Sequence, residues 1–349
     1  MLEVYAGKTA IKTINEGGFT QDIFTSFLGA SGGPKWFSLF SLDKYIFGEF
    51  FKERQTELNL IGSSAGAFRA ACFAQKDPVA AISRLAESYS ETVYSDNAKP
   101  EEITAKAKEL LNYVLCEAGI DEIINNPIYK THFLVNKTNG FVSSENKALL
   151  FLGLMKSIVL NKIDRSLLNK QYERFVFKSP SSNLMIDDYC NFSTQYADLT
   201  PTNLKDALLA SGSIPLIMEG IKDIAGVPSG MYRDGGIVDY HFDFKLKNSH
   251  GLILYPHFNS MPKAGWFDKN LKRKVKSENY DNIVMLVPSE NFVKLLPFSK
   301  IPDRTDFTKM EASQRIKYWK TVLSETERLS DEFDSILSNK KALNIKSIV

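Results

Sequence analysis

Leu58-Asn59-Leu60-Ile61-Gly62-Ser63-Ser64-Ala65-Gly66-Ala67-Phe68-Arg69-Ala70-Ala71 holds a strand, a turn and a helix start in one run. The apolar beginning suits a buried strand, and the alanine-rich end suits a helix. Between them the turn fits G-x-S-x-G, with Ser64 central and Gly62 and Gly66 two residues to either side. A serine on a sharp strand-to-helix turn sits in a strained backbone and projects its hydroxyl clear of the sheet. Such a turn closes only if nothing bulky stands two positions before or after. The following helix directs its free amides and positive end toward any anion formed nearby. A bland glycine turn or a phosphate-cradling loop would use the same small residues. The strand before and the helix after favour a nucleophile elbow.

Upstream, residues 23–28 are β-rich and run into Gly29-Ala30-Ser31-Gly32-Gly33-Pro34-Lys35. An apolar helix-like segment follows from Trp36 to Phe51, with Pro34 in its first turn. Two strand–turn–helix units in succession predict an α/β fold with parallel strands, and a site beyond their carboxyl ends. Downstream, 78–93 and 100–118 read as amphipathic helices, and His132 to Asn136 and Arg174 to Phe177 as strands. The apolar run 147–160 reads as a helix whose densest part, Ala148 to Met155, is expected to be buried. Asp206 to Ser211 is a short helix ending in Gly212-Ser213-Ile214-Pro215. Met231 to Asp239 is a strand breaking at Asp234-Gly235-Gly236, and Leu252 to Tyr255 and Ile283 to Val287 are later strands. A final helix is expected over about 309–338, its stripe Ile316, Trp319, Leu323, Leu329, Phe333 and Leu337 docked on the body. The whole of 1–349 is expected to form a single domain. Its motif-bearing core covers about 22–300, with a helical insertion or lid over about 95–200.

The 349 residues are 44% hydrophobic and 24% charged, with a formal net charge of +2. That length allows a large core, and near-neutrality gives no reason to expect a nucleic acid partner. Cys72, Cys116 and Cys190 are odd in number and far apart. They suggest neither a metal-ligand spacing nor a disulfide framework, and a reducing compartment is the default. The N-terminus lacks the basic start and apolar core of a signal peptide. No run reaches the ~20 apolar residues of a membrane-spanning helix. A cytoplasmic protein is expected, with peripheral membrane contact left open.

A serine nucleophile needs a base and donors for the oxyanion. Gly29 to Gly33 offers bare amides at a helix start, which suits an oxyanion hole, a plain tight turn or a phosphate site. The P-loop pattern and the dinucleotide fingerprint are both absent. For the base, the histidines are His132, His241, His250 and His257. His257 follows a strand in the order of a Ser-Asp-His hydrolase and is the best of them. The other candidate is Asp234, whose position at a strand end before two glycines would let it approach a serine directly. Asp-Gly is also a favoured turn dipeptide.

Four segments occur together and in order: Ala30-Ser31-Gly32-Gly33-Pro34-Lys35, Gly62-Ser63-Ser64-Ala65-Gly66, Ala207-Leu208-Leu209-Ala210-Ser211-Gly212-Ser213-Ile214-Pro215, and Arg233-Asp234-Gly235-Gly236. The combination resembles the patatin-like phospholipases. The resemblance implies a three-layer α/β/α fold with a mainly parallel central sheet. It implies a Ser-Asp dyad with Ser64 as nucleophile and Asp234 as base, an elbow at Gly62 and Gly66, and an oxyanion hole at Gly32 and Gly33. It also implies hydrolysis of fatty acyl esters of lipids through an acyl-enzyme, in the manner of a phospholipase A or lysophospholipase, with no metal or organic cofactor. The loop departs from the family pattern: Ala30 and Ser31 replace an acid and the first glycine, and Trp36 replaces another glycine. Lys35 keeps a basic position and is a candidate for anion or substrate contact. Asp239 is expected to be structural. The rival readings are a Ser-His-Asp esterase using His257, and a catalytically silent lipid- or protein-binding member of the fold.

The run Lys269 to Lys276 has five cations in eight residues, just after Gly265-Trp266-Phe267. An aromatic pair beside a basic cluster suits adsorption to anionic lipid, at ~1 kcal/mol per cation near the surface. A solvated loop is the alternative.

Overall fold

In the computed structural model, which describes residues 1–348, successive side chains on the central strands divide between two buried faces. Among the described residues the strands are β1 (Leu2–Ala6), β2 (Phe24–Gly29), β3 (Leu58–Ser63), β4 (Tyr129–Thr138), β5 (Tyr172–Lys178), β6 (Met185–Asp187) and β7 (Thr194–Asp198). The chain continues with β8 (Ile221–Lys222), β9 (Met231–Asp234), β10 (Lys245–Lys247), β11 (Leu252–Pro256), β12 (Ile283–Pro288) and β13 (Ile345–Ser347). All but β6 and β10, which pair with each other, join one eleven-stranded sheet. Its path is β13-β1-β12-β11-β2-β3-β4-β5-β7, with β9 on β4 and β8 on β9. The central run β12-β11-β2-β3-β4 is parallel.

Phe27, Leu60, Phe133, Leu254 and Leu286 face one core, and Leu28, Ile61, Leu134, Tyr255 and Met285 face the other. A parallel sheet covered on both sides reads as continuous apolar strands, which is how these segments read. The first face carries the helices Lys8–Gly17, Ala65–Phe73, Pro78–Glu91, Pro100–Leu115 and Leu204–Gly212, and the C-terminal helices. The second carries the helix Lys147–Ile163 and the small β6–β10 ribbon. The architecture is α/β with a large, mostly parallel sheet between helical layers.

Several elements differ from their sequence expectation. The segment 95–200, expected as a helical insertion or lid, contributes β4, β5 and β7 to the sheet itself. The expected C-terminal helix is broken into Ala312–Glu325 and Glu327–Leu337. The break falls at buried Thr326, whose hydroxyl donates to the Ser41 hydroxyl at 2.8 Å and accepts from the Ser41 amide at 3.1 Å. The stripe still docks, with Phe333 against Phe19 and Phe50 and Trp319 against Phe37. The apolar helix Lys147–Ile163 is not buried: it turns most of its large apolar side chains to solvent.

Candidate active site

Strand β4 sets two segments side by side. Along one edge its first half pairs with β3, placing Ser63 opposite Leu134. On the same edge its second half pairs with β9, placing Asp234 opposite Val135. The next residue of the first segment is Ser64, so consecutive positions on one ruler bring Ser64 and Asp234 together across 170 residues. The Ser64 hydroxyl donates to Asp234 Oδ2 at 2.9 Å, and both residues are only 6% exposed.

Ser64 stands between β3 and the helix Ala65–Phe73 with φ 53° and ψ −126°, a conformation that only a constrained turn holds. The glycines around it make that turn closable. A Cβ on Gly66 would overlap the Gly29 carbonyl, and one on Gly62 would lie 2.6 Å from the Ala67 Cα. The Ser64 amide donates to Ser211 Oγ at 3.0 Å, and Ser211 donates on to the Leu134 carbonyl at 2.8 Å. Arg69, one turn further on, makes a buried bidentate pair with Asp43 at 2.8 and 2.6 Å, tying the elbow helix to the segment after the glycine loop.

Asp234 is held from several sides. The Gly236 amide donates to its Oδ1 at 2.6 Å, and Asn136 Nδ2 donates to the carbonyls of Asp234 and Gly235 at 2.8 and 3.1 Å. Burial raises its carboxyl to about 6, against the opposing effect of the Gly236 and Ser64 hydrogen bonds. A carboxylate so raised can take a proton from a neighbour near neutral pH.

The glycine loop lies beyond β2. Gly32 and Gly33 have φ 153° and 56°, and neither amide donates to a protein acceptor among the described residues. Ser31 is anchored: its amide donates to the Tyr240 carbonyl at 3.0 Å, and its hydroxyl donates to the Ser63 carbonyl at 3.2 Å. The Ala65 amide, first in the elbow helix, is likewise left without a protein acceptor.

Two spaces meet at Ser64. The first is a cleft of about 570 Å³, partly open to solvent, that holds Ser64, Asp234, Gly32 and Gly33 and is rimmed by Lys35, Lys269 and Arg304. Lys35 lies 3.3 Å from Asp303, which shares the rim. Desolvation, then the charges of Lys35 and Arg304, lower the Lys269 ammonium to about 8. The second is an apolar channel of about 720 Å³ running from Ser64 and Gly33 between Trp36, Phe68, Leu85, Tyr94, Leu110 and Met218.

The remaining sequence candidates fall elsewhere. His257 does not line the cleft. It is fully buried, its Nδ1 lies 2.9 Å from the Asn259 amide, and desolvation lowers it to about 3. Asp239 accepts from Arg174 Nε and Nη2 at 2.6 and 2.7 Å and is structural. Trp266 and Phe267 are half-buried and pack inward on the cluster around Leu150, Leu154 and Val238, with Trp266 lining the cleft. Packed in this way, they do not stand out beside the basic run as a pair free to adsorb to lipid. Within that run Arg273 is committed to Asp268 at 2.8 Å, and Lys276 covers the Tyr189 ring. Among the described residues no cluster of three or more metal-donor side chains forms.

Sequence reasoning missed Asn136, Ser211, the Ala65 amide and the Asp303–Arg304 rim. A polar Asn inside an apolar strand was a legible signal, whereas nothing in the sequence brings Arg304 to Ser64.

The patatin-like phospholipase model matches residues 59–241, more than half of the chain. The chain belongs to the patatin-like phospholipase family. The matched stretch spans both Ser64 and Asp234 and begins after the glycine loop. Among solved structures, the chain is similar to human GIVD cytosolic phospholipase A2 at 10% identity and a TM-score of 0.38, over 95% of this chain and 62% of that one. The chain therefore spans less than two thirds of the length of that structure. No curated protein matches it.

Proposed function

We propose that this patatin-like chain is a serine lipid acyl hydrolase that cleaves fatty acyl esters of phospholipids or lysophospholipids through an acyl-enzyme on Ser64. The carrying observation is the Ser64–Asp234 hydrogen bond of 2.9 Å at a strained strand-to-helix turn. Asp234 takes the hydroxyl proton as Ser64 Oγ attacks the acyl carbonyl. The tetrahedral oxyanion accepts from the free amides of Gly32 and Gly33, with the Ala65 amide beside them at the positive end of its helix. Collapse of this intermediate breaks the ester bond, and protonated Asp234 returns the proton to the leaving alcohol. Water then enters, gives a proton to Asp234 and attacks the acyl-enzyme; the second collapse frees the fatty acid and restores the Ser64 hydroxyl.

The two spaces suit the two ends of such a substrate. The apolar channel accepts an acyl chain, and the rim of Lys35, Lys269 and Arg304 faces the alcohol side, where a phosphate would be matched in charge. His257, away from the cleft and held neutral by burial, has no part in this scheme. The free cysteines, two of them buried, are in keeping with a reducing, cytoplasmic setting.

Labelling by a fluorophosphonate probe and turnover of lysophospholipids test the proposal. Wild type should label at Ser64 and release fatty acid. A folded protein that does neither would contradict it.

A further inference from the structure

An ordinary surface helix turns its apolar stripe inward and its polar residues outward. The helix Lys147–Ile163 does the reverse. Its buried side includes Gly153, Ser157 and Asn161, beside Leu150 and Leu154. Its outer side carries Leu149, Phe151, Leu152, Met155, Ile158, Val159 and Ile163, each 40–70% exposed, and the preceding turn adds Phe141 at 54%. The inward side is fixed by specific packing: a Cβ on Gly153 would lie 2.7 Å from the Val142 amide nitrogen, and the hydroxyls of Ser157 and Tyr172 lie 2.8 Å apart. The helix therefore cannot roll its apolar arc into the core. A contiguous apolar face of this kind marks an interaction site.

Its charge indicates the occupant. Between Asn146 and Asp164 there is no Asp or Glu, and the lysines are Lys147, Lys156 and Lys162, all exposed. At 100° per residue Lys156 and Lys162 fall within or beside the apolar arc, where their stems can lie along it and their heads reach outward. The flanking acids are engaged, Glu145 with Arg233 at 2.9 Å and Asp164 with the Ser166 amide at 2.8 Å. The basic run is joined to the same helix: Arg273 Nη2 donates to the Asn161 carbonyl at 2.8 Å, leaving Lys272 and Lys274 exposed beside it. Among the described residues no helix is long and apolar enough to cross a membrane.

We propose that the outer face of the helix Lys147–Ile163, with Phe141, Lys272 and Lys274, docks on an anionic lipid bilayer. The choice of a bilayer as occupant rests on the lipid reading of the active site. The helix packs through Leu150 and Leu154 on the cluster containing Ile237 and Trp266, and both of those line the catalytic cleft. Docking this face would therefore hold the cleft near the membrane, with the helix, about 10 Å thick, and the side chains it packs on lying between them.

The test uses full-length protein carrying Ser64→Ala, so that vesicles stay intact and failure of Ser64 chemistry cannot imitate failure of the surface. It is sedimented with vesicles of phosphatidylcholine alone and of phosphatidylcholine mixed with phosphatidylserine. Binding should favour the anionic vesicles and weaken with salt. Leu152→Asp with Val159→Asp should lower partition roughly tenfold or more. Lys156→Gln and Lys162→Gln should each lower it roughly fivefold. The same substitutions in chain retaining Ser64 should leave hydrolysis of a short monomeric ester unchanged. No vesicle binding by the parent, equal binding by parent and aspartate variants, or a parent dimer that those variants convert to monomer would each overturn the proposal. The last result would assign the face to a second copy of the chain.

Discussion

The two glycine turns at the heart of the site use glycine for different reasons. In the elbow, Gly62 and Gly66 have ordinary torsions and are needed for room, Gly66 because it presses against the β2 end at Gly29 and Gly62 because it faces the backbone of Gly66 and Ala67. The strained torsion falls on Ser64 itself, at φ 53°. In the loop the need is first torsional, and at Gly32 a Cβ would also lie 2.8 Å from the Phe258 ring. Gly32 and Gly33 have positive φ, whereas Ala30 and Ser31 do not. That contrast explains which positions have departed from the family pattern. Ala30 and Ser31 occupy backbone that any residue can adopt, and Ser31 uses its side chain to bind Ser63. The elbow has no such freedom, so its pattern stands complete.

Substitutions can break this contrast. The largest effect is expected from Gly66→Ala, which drives a methyl into the Gly29 backbone. It should cost about 4 kcal/mol or more, read as a lowered midpoint in denaturant. Near-wild-type stability would mean that the elbow glycines are not there for space. Gly33→Ala should separate activity from stability. The nearest atom to its new Cβ is the Tyr89 hydroxyl at 3.5 Å, so the fold should lose only about 1–2 kcal/mol for the left-handed torsion. Turnover should fall roughly 10²–10³-fold if the relaxing loop displaces an oxyanion donor. Ser31→Ala should have the smallest effect, within about 1.5 kcal/mol of stability and a few-fold in turnover, because only its hydrogen bonds to Ser63 are lost.

Asp234 adds a pH dependence of intermediate size. Its folded carboxyl is raised to about 6 from an ordinary 3.8, so the folded state binds the proton more tightly than the unfolded chain. Its contribution to stability must therefore decline as pH rises between those values. Asp234→Asn should relieve that cost at neutral pH, by up to about 3 kcal/mol, with little relief at pH near 4. In the parent, turnover should rise with pH through about 6 as the carboxyl becomes the base. A flat profile across that range would remove Asp234 from the role.

The sequence revealed most where geometry forbids alternatives. Gly62 and Gly66 are legible because a Cβ on either would run into neighbouring backbone, whereas Asp234 stands out only when the four segments are taken together, since Asp-Gly-Gly alone also reads as a turn. The strands β2, β3, β4, β5, β11 and β12 are legible as apolar runs because both faces of the sheet are covered. What escaped depends on assembly. The rim of Lys35, Lys269 and Arg304 joins three distant loops. The apolar channel forms only where helices from 78–115 pack beside 212–218. The helix Lys147–Ile163 was misread because near-uniform apolarity ordinarily means burial, and its composition does not say which side Gly153, Ser157 and Asn161 would hold against the core.

Hydrolysis of a short p-nitrophenyl acyl ester by wild type, Ser64→Ala, Asp234→Asn and His257→Ala tests the dyad most directly. Turnover should be abolished in the first two variants and retained in folded His257→Ala protein. Activity surviving in Asp234→Asn, together with its loss in a folded His257→Ala protein, would contradict the assignment of Asp234 as the base.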